Sequence, residues 1–193
     1  MLALRPRTLT FEEYLAWEEQ QEEKHEYIDG VPVLRRLRLM SGGTYQHAGI
    51  AANVLVALQN RLRGGPCRAV GSDLKVRSAT GNARYPDVTV DCGPISRTLI
   101  APEPRVLFEV LSPSNSTSRQ IRLVADYQAI PTVQQIVFIE QDRPAAQVWT
   151  RSAEGWTVAA VEGEGAELPL TTLGFELPLA DVYQGVTFEP EQD

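Results

Sequence analysis

Apolar residues recur along this chain with two periods, and the switches between them divide it into helices and strands. Thr10 to Glu13 has the form of a capping box, with Glu three residues after Thr, and Phe11, Tyr14 and Leu15 follow at helical spacing. The Glu and Gln run through Glu23 reads as the solvated continuation of that helix. Glu26-Tyr27-Ile28 and Val31-Pro32-Val33 read as two strands joined at Asp29-Gly30, a pair that tolerates the positive φ of a tight turn. The clearest helix is predicted from Thr44 to Leu62, where Ile50, Val54, Leu58 and Leu62 recur at helical spacing with Ala51 and Leu55 beside them. Gly64-Gly65-Pro66 ends it.

Three strands are predicted next. Ser72 to Ser78 alternates Leu74 and Val76 against Asp73, Lys75 and Arg77. Tyr85 to Cys92 sets Val88 and Val90 opposite Asp87, Thr89 and Asp91. Arg105 to Leu111 is apolar on both faces except at Glu109. After Ser112-Pro113-Ser114, Leu123, Tyr127 and Ile130 share a helical face from Thr117 to Ile130, and Gln135 to Glu140 is a further strand, so this helix reads as a crossover. Gln147 to Thr150 and Trp156 to Val161 flank Ser152 to Gly155 as a hairpin, and Leu177 to Tyr183 reads as a last short helix.

At 193 residues and 43% hydrophobic, the chain suits one domain, with its core over about residues 8–185 and an acidic tail from Glu189 to Asp193. Its apolar runs fall well short of the roughly 20 residues of a membrane span, and the first residues have no signal-peptide pattern. The expectation is a cytoplasmic protein without a membrane partner. Cys67 and Cys92 are expected to be plain buried thiols in strands. The net charge of −7 argues against a surface that grips nucleic acid everywhere, while leaving room for a local basic groove. The densest basic cluster, Arg35, Arg36 and Arg38, reads as a solvated strand or loop face. Trp17, Trp149 and Trp156 read as core or hairpin residues.

Two carboxylates resist explanation as packing. Glu109 lies within Val-Leu-Phe-Glu-Val-Leu, and Asp87 follows Pro86 in a strand that can pair with it. A buried carboxylate needs a counter-charge, a proton or a metal. Two on neighbouring strands, pointing to one face, offer hard oxygen ligands for Mg²⁺ or Mn²⁺. The structural alternatives are that Asp87 caps a turn or pairs with Arg84 or Arg105, and that Glu109 is a buried ion-pair partner.

Tyr85-Pro86-Asp87, then Glu109-Val110-Leu111-Ser112-Pro113-Ser114, then a helix carrying Tyr127 with Ile130-Pro131 after it, resembles the Uma-type restriction endonuclease family of the PD-(D/E)XK nuclease superfamily. Thr10 to Tyr14, Glu26 to Gly30, and Ser41-Gly42-Gly43 leading to His47 fit the same pattern. The resemblance implies an α/β (α+β) restriction-endonuclease-like fold, a mixed central sheet flanked by helices, here with an added hairpin near the C-terminus. It implies Asp87 and Glu109 as metal ligands, Glu26 as an acidic residue completing the site, DNA as substrate and a homodimer. Where the superfamily has lysine after the Glu, this chain has Leu111. The family's lysine on the following helix corresponds to Leu123. Arg122 and Lys75 are then the candidate cations, although Arg122 could instead pair with Asp126 on an exposed helix face. His47 could hydrogen-bond near the site. The implied activity is metal-dependent phosphodiester hydrolysis of DNA, and the alternative is a catalytically silent nuclease fold that binds nucleic acid or a protein.

Overall fold

The computed structural model describes residues 8–35, 44–95, 97–111 and 117–188. The motifs at Ser41-Gly42-Gly43 and Ser112-Pro113-Ser114, Arg36 and Arg38, and the acidic tail lie outside these. Helix α1 (Phe11–Glu18) precedes the hairpin β1 (His25–Ile28) and β2 (Val31–Leu34), and α2 (Tyr45–Leu62) follows. Then come β3 (Arg68–Gly71), β4 (Val76–Arg77), β5 (Ala83–Arg84), β6 (Val88–Asp91), β7 (Pro104–Val110), α3 (Thr117–Gln128) and β8 (Gln135–Ile139). The chain continues through β9 (Ala145–Ser152), β10 (Gly155–Glu162), β11 (Glu167–Leu170), β12 (Phe175–Pro178) and α4 (Leu179–Val182).

The main sheet has six strands in the order β10-β9-β8-β7-β6-β3. It is mixed: β7 and β8 run parallel, joined through α3, and their neighbours are antiparallel. The expected crossover and the expected β6–β7 pairing are both present. On one face, Ile50, Val54 and Leu58 of α2 pack with Val88, Val90, Val106 and Phe108, and Leu168, Leu170, Leu177 and Leu179 from the C-terminal elements extend that core. On the other face, Leu123 and Tyr127 of α3 pack with Leu107, Ile136 and Phe138. Each large apolar side chain so buried contributes roughly 1.5–3 kcal/mol, which fixes β7 firmly between two layers. A smaller sheet, β2-β1-β5-β4, carries α1 through Phe11, Tyr14, Tyr27 and Ala83. At its β1–β2 turn, Asp29 (φ 50°) and Gly30 (φ 84°) both adopt the left-handed region expected of that dipeptide.

Several sequence expectations change. The capping box forms as predicted, with the Glu13 amide donating to Thr10 Oγ1 (3.2 Å) and the Thr10 amide to Glu13 Oε2 (2.8 Å). The helix nevertheless stops at Glu18, which is buried and not part of a solvated run. Ser72 to Leu74 is a turn, closed by the Asp73 amide donating to the Gly71 carbonyl (2.8 Å), so the predicted strand survives only as β4. The main-sheet strand lies earlier, at β3. The two cysteines form a disulfide, contrary to the expectation of buried thiols. Cys67 and Cys92 are the next pair beyond Arg68↔Asp91 in the β3–β6 ladder, with Cα atoms 4.0 Å apart, and both are half-buried. Trp149 and Trp156 lie against the α3-side core and Trp17 against the α1 core, as expected. Among the described residues no helix is long and apolar enough to cross a membrane.

Candidate active site

Strands β6 and β7 bring Asp87 and Glu109 together. Val88 pairs with Phe108, and the Asp87 amide donates to the Phe108 carbonyl (3.0 Å), so Asp87 and Glu109 occupy the next position outward on adjacent strands. Both are buried, Asp87 at 7% and Glu109 at 8% exposure. Asp87 is heavily bonded. Arg35 Nη2 donates to its Oδ1 (3.0 Å), the Val110 amide donates to its Oδ2 (2.9 Å), and His47 Nε2 lies 3.2 Å from the same Oδ2. Burial alone would raise the Asp87 carboxyl. His47, the Arg35 guanidinium and the Val110 amide outweigh it and hold the group below the usual carboxylate range.

Glu109 goes the other way. Burial pushes it up and the Asp87 charge adds to the rise, while Arg35, the Tyr127 hydroxyl and Arg119 offset only part, leaving the group at about 8. Tyr127 donates to Glu109 Oε1 from α3, and burial followed by the Glu109 charge keeps the phenol well above its ordinary range. One strand end thus presents an ionised carboxylate and, beside it, a carboxyl that their proximity and burial keep from ionising easily.

This ordered set can be compared with known proteins. Residues 11–180 match the family model described as "Putative restriction endonuclease" (Uma2). The chain belongs to this family. An uncharacterized protein of Synechocystis sp. is 32% identical over 184 residues, covering 93% of this chain and 94% of that relative. A crystal structure from Anabaena variabilis, described as a "putative nuclease belonging to DUF820", superposes with a TM-score of 0.73 at 17% identity. The match covers 93% of this chain and 99% of that one. At that identity the likeness is one of fold, and the fold agrees with the mixed sheet and flanking helices described above.

The other residues singled out for this Uma2 chain are placed differently. Glu26 on β1 is buried and accepts from Arg84 Nη1 (2.7 Å), with Arg119 Nη2 at 3.5 Å. Arg84 also holds Asp126 through Nε (2.7 Å), and Asn82 donates to the same carboxylate (2.8 Å). Asp126 is therefore buried in a network with β5 and is not the exposed partner of Arg122. Arg122 is exposed on α3, and no hydrogen bond or ion pair joins it to Asp87 or Glu109 among the described residues. Lys75 is buried with Nζ 2.7 Å from Glu18 Oε2, and Tyr85 donates to Glu18 Oε1 (2.6 Å). Leu111 and Leu123, at the lysine positions, are both packed in the α3-side core.

Arg35 is the residue sequence reasoning passed over. It stood in a basic cluster read as solvated, yet its side chain is only 7% exposed and touches Asp87. The available signal was the position of that cluster just after the Glu26-to-Gly30 hairpin. His47, a weaker expectation, does reach the site. As for a metal, the donor chemistry fits: two buried carboxyls side by side cannot both ionise easily, and a divalent cation would offset the repulsion and the desolvation that oppose the second charge. Mg²⁺ commonly takes one or two protein carboxylates and completes its shell with water and phosphate. Among the described residues no group of three or more acidic, His or Cys side chains is arranged to hold a metal ion, and Glu26 is engaged by Arg84 instead.

Proposed function

We propose that this protein is a metal-dependent endonuclease that hydrolyses phosphodiester bonds in DNA, with Asp87 and Glu109 as the ligands of Mg²⁺ or Mn²⁺. The observation that carries the reading is the buried, mutually repelling Asp87–Glu109 pair on adjacent central strands. The Uma2 membership supports it. A divalent cation bound there would supply charge neutralisation at the phosphate and activation of the attacking water. The chain's own residues do the rest. The Val110 amide and His47 fix the Asp87 carboxylate, Tyr127 orients Glu109, and the Arg84–Glu26–Asp126 network ties α3, and so Tyr127, to the smaller sheet.

A second reading, a nuclease fold that binds nucleic acid or protein without cutting, draws on Leu111 and Leu123 at the lysine positions and on Asp87 being already bonded to Arg35. One experiment separates the two. Plasmid nicking with Mn²⁺ should be abolished in Asp87→Asn and Glu109→Gln, and calorimetric Mn²⁺ titration should lose its binding isotherm in both. Mn²⁺ binding unchanged in the two variants would remove the metal assignment. A wild type that binds Mn²⁺ and DNA yet nicks nothing would favour the silent module.

A further inference from the structure

The carboxylate pair lacks the lysine that its family pattern leads one to expect, and the cations nearby differ in what they have left to offer. Lys75 is spent on Glu18. Arg84 divides its guanidinium between Glu26 and Asp126. Arg119 lies by Glu26 with its side chain 42% exposed. Arg35 differs from these. Its Nη2 donates to Asp87, while its Nη1 is a buried donor with no acceptor among the described residues. The two terminal nitrogens belong to one rigid planar fork, so the idle arm lies close to the carboxylate that the other arm holds.

The fork is also held in place before anything binds. The Arg35 amide donates to the Lys24 carbonyl (2.8 Å), which anchors the residue at the end of the β1–β2 hairpin, and its guanidinium carbon lies 5.8 Å from the Tyr85 ring centroid. A buried donor without a partner carries an uncompensated desolvation penalty, and a ligand oxygen that meets it removes that penalty. Guanidinium is suited to phosphate because it stays charged and offers parallel N–H donors. His47, whose side chain is 18% exposed, sits on the other oxygen of the same carboxylate.

We propose that Arg35 is a phosphate anchor: its idle Nη1, with His47 alongside, receives a non-bridging oxygen of the phosphodiester next to Asp87 and Glu109. This rests on the phosphodiester reading above and supplies, from the hairpin, the positive charge absent at 111 and 123. Arg35 acts by charge and not as a base, because arginine does not give up its proton near neutral pH.

The test measures binding apart from cleavage. Anisotropy of a labelled DNA duplex, with Ca²⁺ as the only divalent ion, is followed over a salt series for wild type, Arg35→Gln, Arg35→Lys and Arg122→Ala. Arg35→Gln should bind at least tenfold more weakly and lose about 0.9 from the slope of log affinity against log salt, one phosphate contact's share. Arg35→Lys should keep that slope but bind more weakly, because a single ammonium cannot grip Asp87 and the phosphate together as the two-armed fork does, and Arg122→Ala should match wild type. Native melting of Arg35→Gln together with affinity within twofold and an unchanged slope would overturn the anchor. If Arg35→Gln does not fold, inorganic phosphate should raise the melting temperature of wild type more than that of Arg35→Lys, and equal shifts overturn the proposal. Cleavage in Mn²⁺ then separates the two claims. Arg35-dependent binding without any cleavage keeps the anchor and removes the hydrolysis reading. Full cleavage and tight binding by Arg35→Gln keeps the hydrolysis and removes the anchor.

Discussion

At the scale of single residues, Glu109 sets the most direct physical test. Its carboxyl stands at about 8 in the folded protein against an ordinary 4.5, chiefly because it is buried and then because Asp87 is beside it. Between those values the folded state holds a proton that the unfolded chain has released. Stability from this group is therefore intact below about pH 4.5 and falls as pH rises, until it is lost above about pH 8. The slope is up to about 1.4 kcal/mol per pH unit for one proton. Urea unfolding of metal-free protein across that window should show the decline in wild type, and Glu109→Gln should flatten it. Parallel curves for the two proteins would show that Glu109 is not held protonated. Asp87 and Glu109 were legible in the sequence because a lone charge in an apolar strand is conspicuous. Arg35 was not, since its burial arises from the pairing of the hairpin with β5, which sets it beside Asp87, a tertiary contact that periodicity does not encode. The same holds for Glu18, which reads as one more surface glutamate until the His25 amide, Tyr85 and Lys75 are found around it.

At the scale of elements, periodicity located the long helices and the buried strands well and the short strands poorly. α2 and β7 were plain because each carries several apolar residues at one spacing. β3 is faint, marked only by the strand read at Cys67, because Arg-Ala-Val-Gly has too few positions to show a period, whereas the alternation from Ser72 to Ser78 is genuine but falls partly in a turn. β11 and β12 each contain proline and pair only with each other, so the usual strand signs were weak. The disulfide is not legible for a related reason: the sequence puts both cysteines in strands, but their facing follows from the β3–β6 register, which no local pattern supplies. The element contact most relevant to the site is the one Arg84 makes between β5, β1 and α3. Arg84→Met would leave Glu26 and Asp126 buried without their main counter-charge and should cost about 3–5 kcal/mol. Denaturant unfolding would measure this, and hydrogen exchange should show faster opening of α3 than of β8. A loss below about 1 kcal/mol would mean that the network is dispensable.

At the scale of the whole molecule, the mixed sheet, its flanking helices and the Uma2 family follow from the motif resemblance, and the order strand, crossover helix, strand adds the parallel β7–β8 pair. Assembly is a separate matter. We propose a homodimer, since cutting both strands of a duplex is simplest with two copies of one site about a two-fold axis. Light scattering at micromolar concentration, with and without a DNA duplex, should give twice the chain mass in at least one condition, and a monomer in both would exclude it. The β9–β10 hairpin, at the far end of the six-stranded order, has another use. Strands lie about 4.8 Å apart, so β10 is roughly 14 Å across the sheet from β7, and most of its residues are exposed, as are Ala153 and Glu154 at its turn. That turn is a natural handle for a fluorophore or a surface-coupling tag, placed where attachment leaves the Asp87–Glu109 strand end untouched.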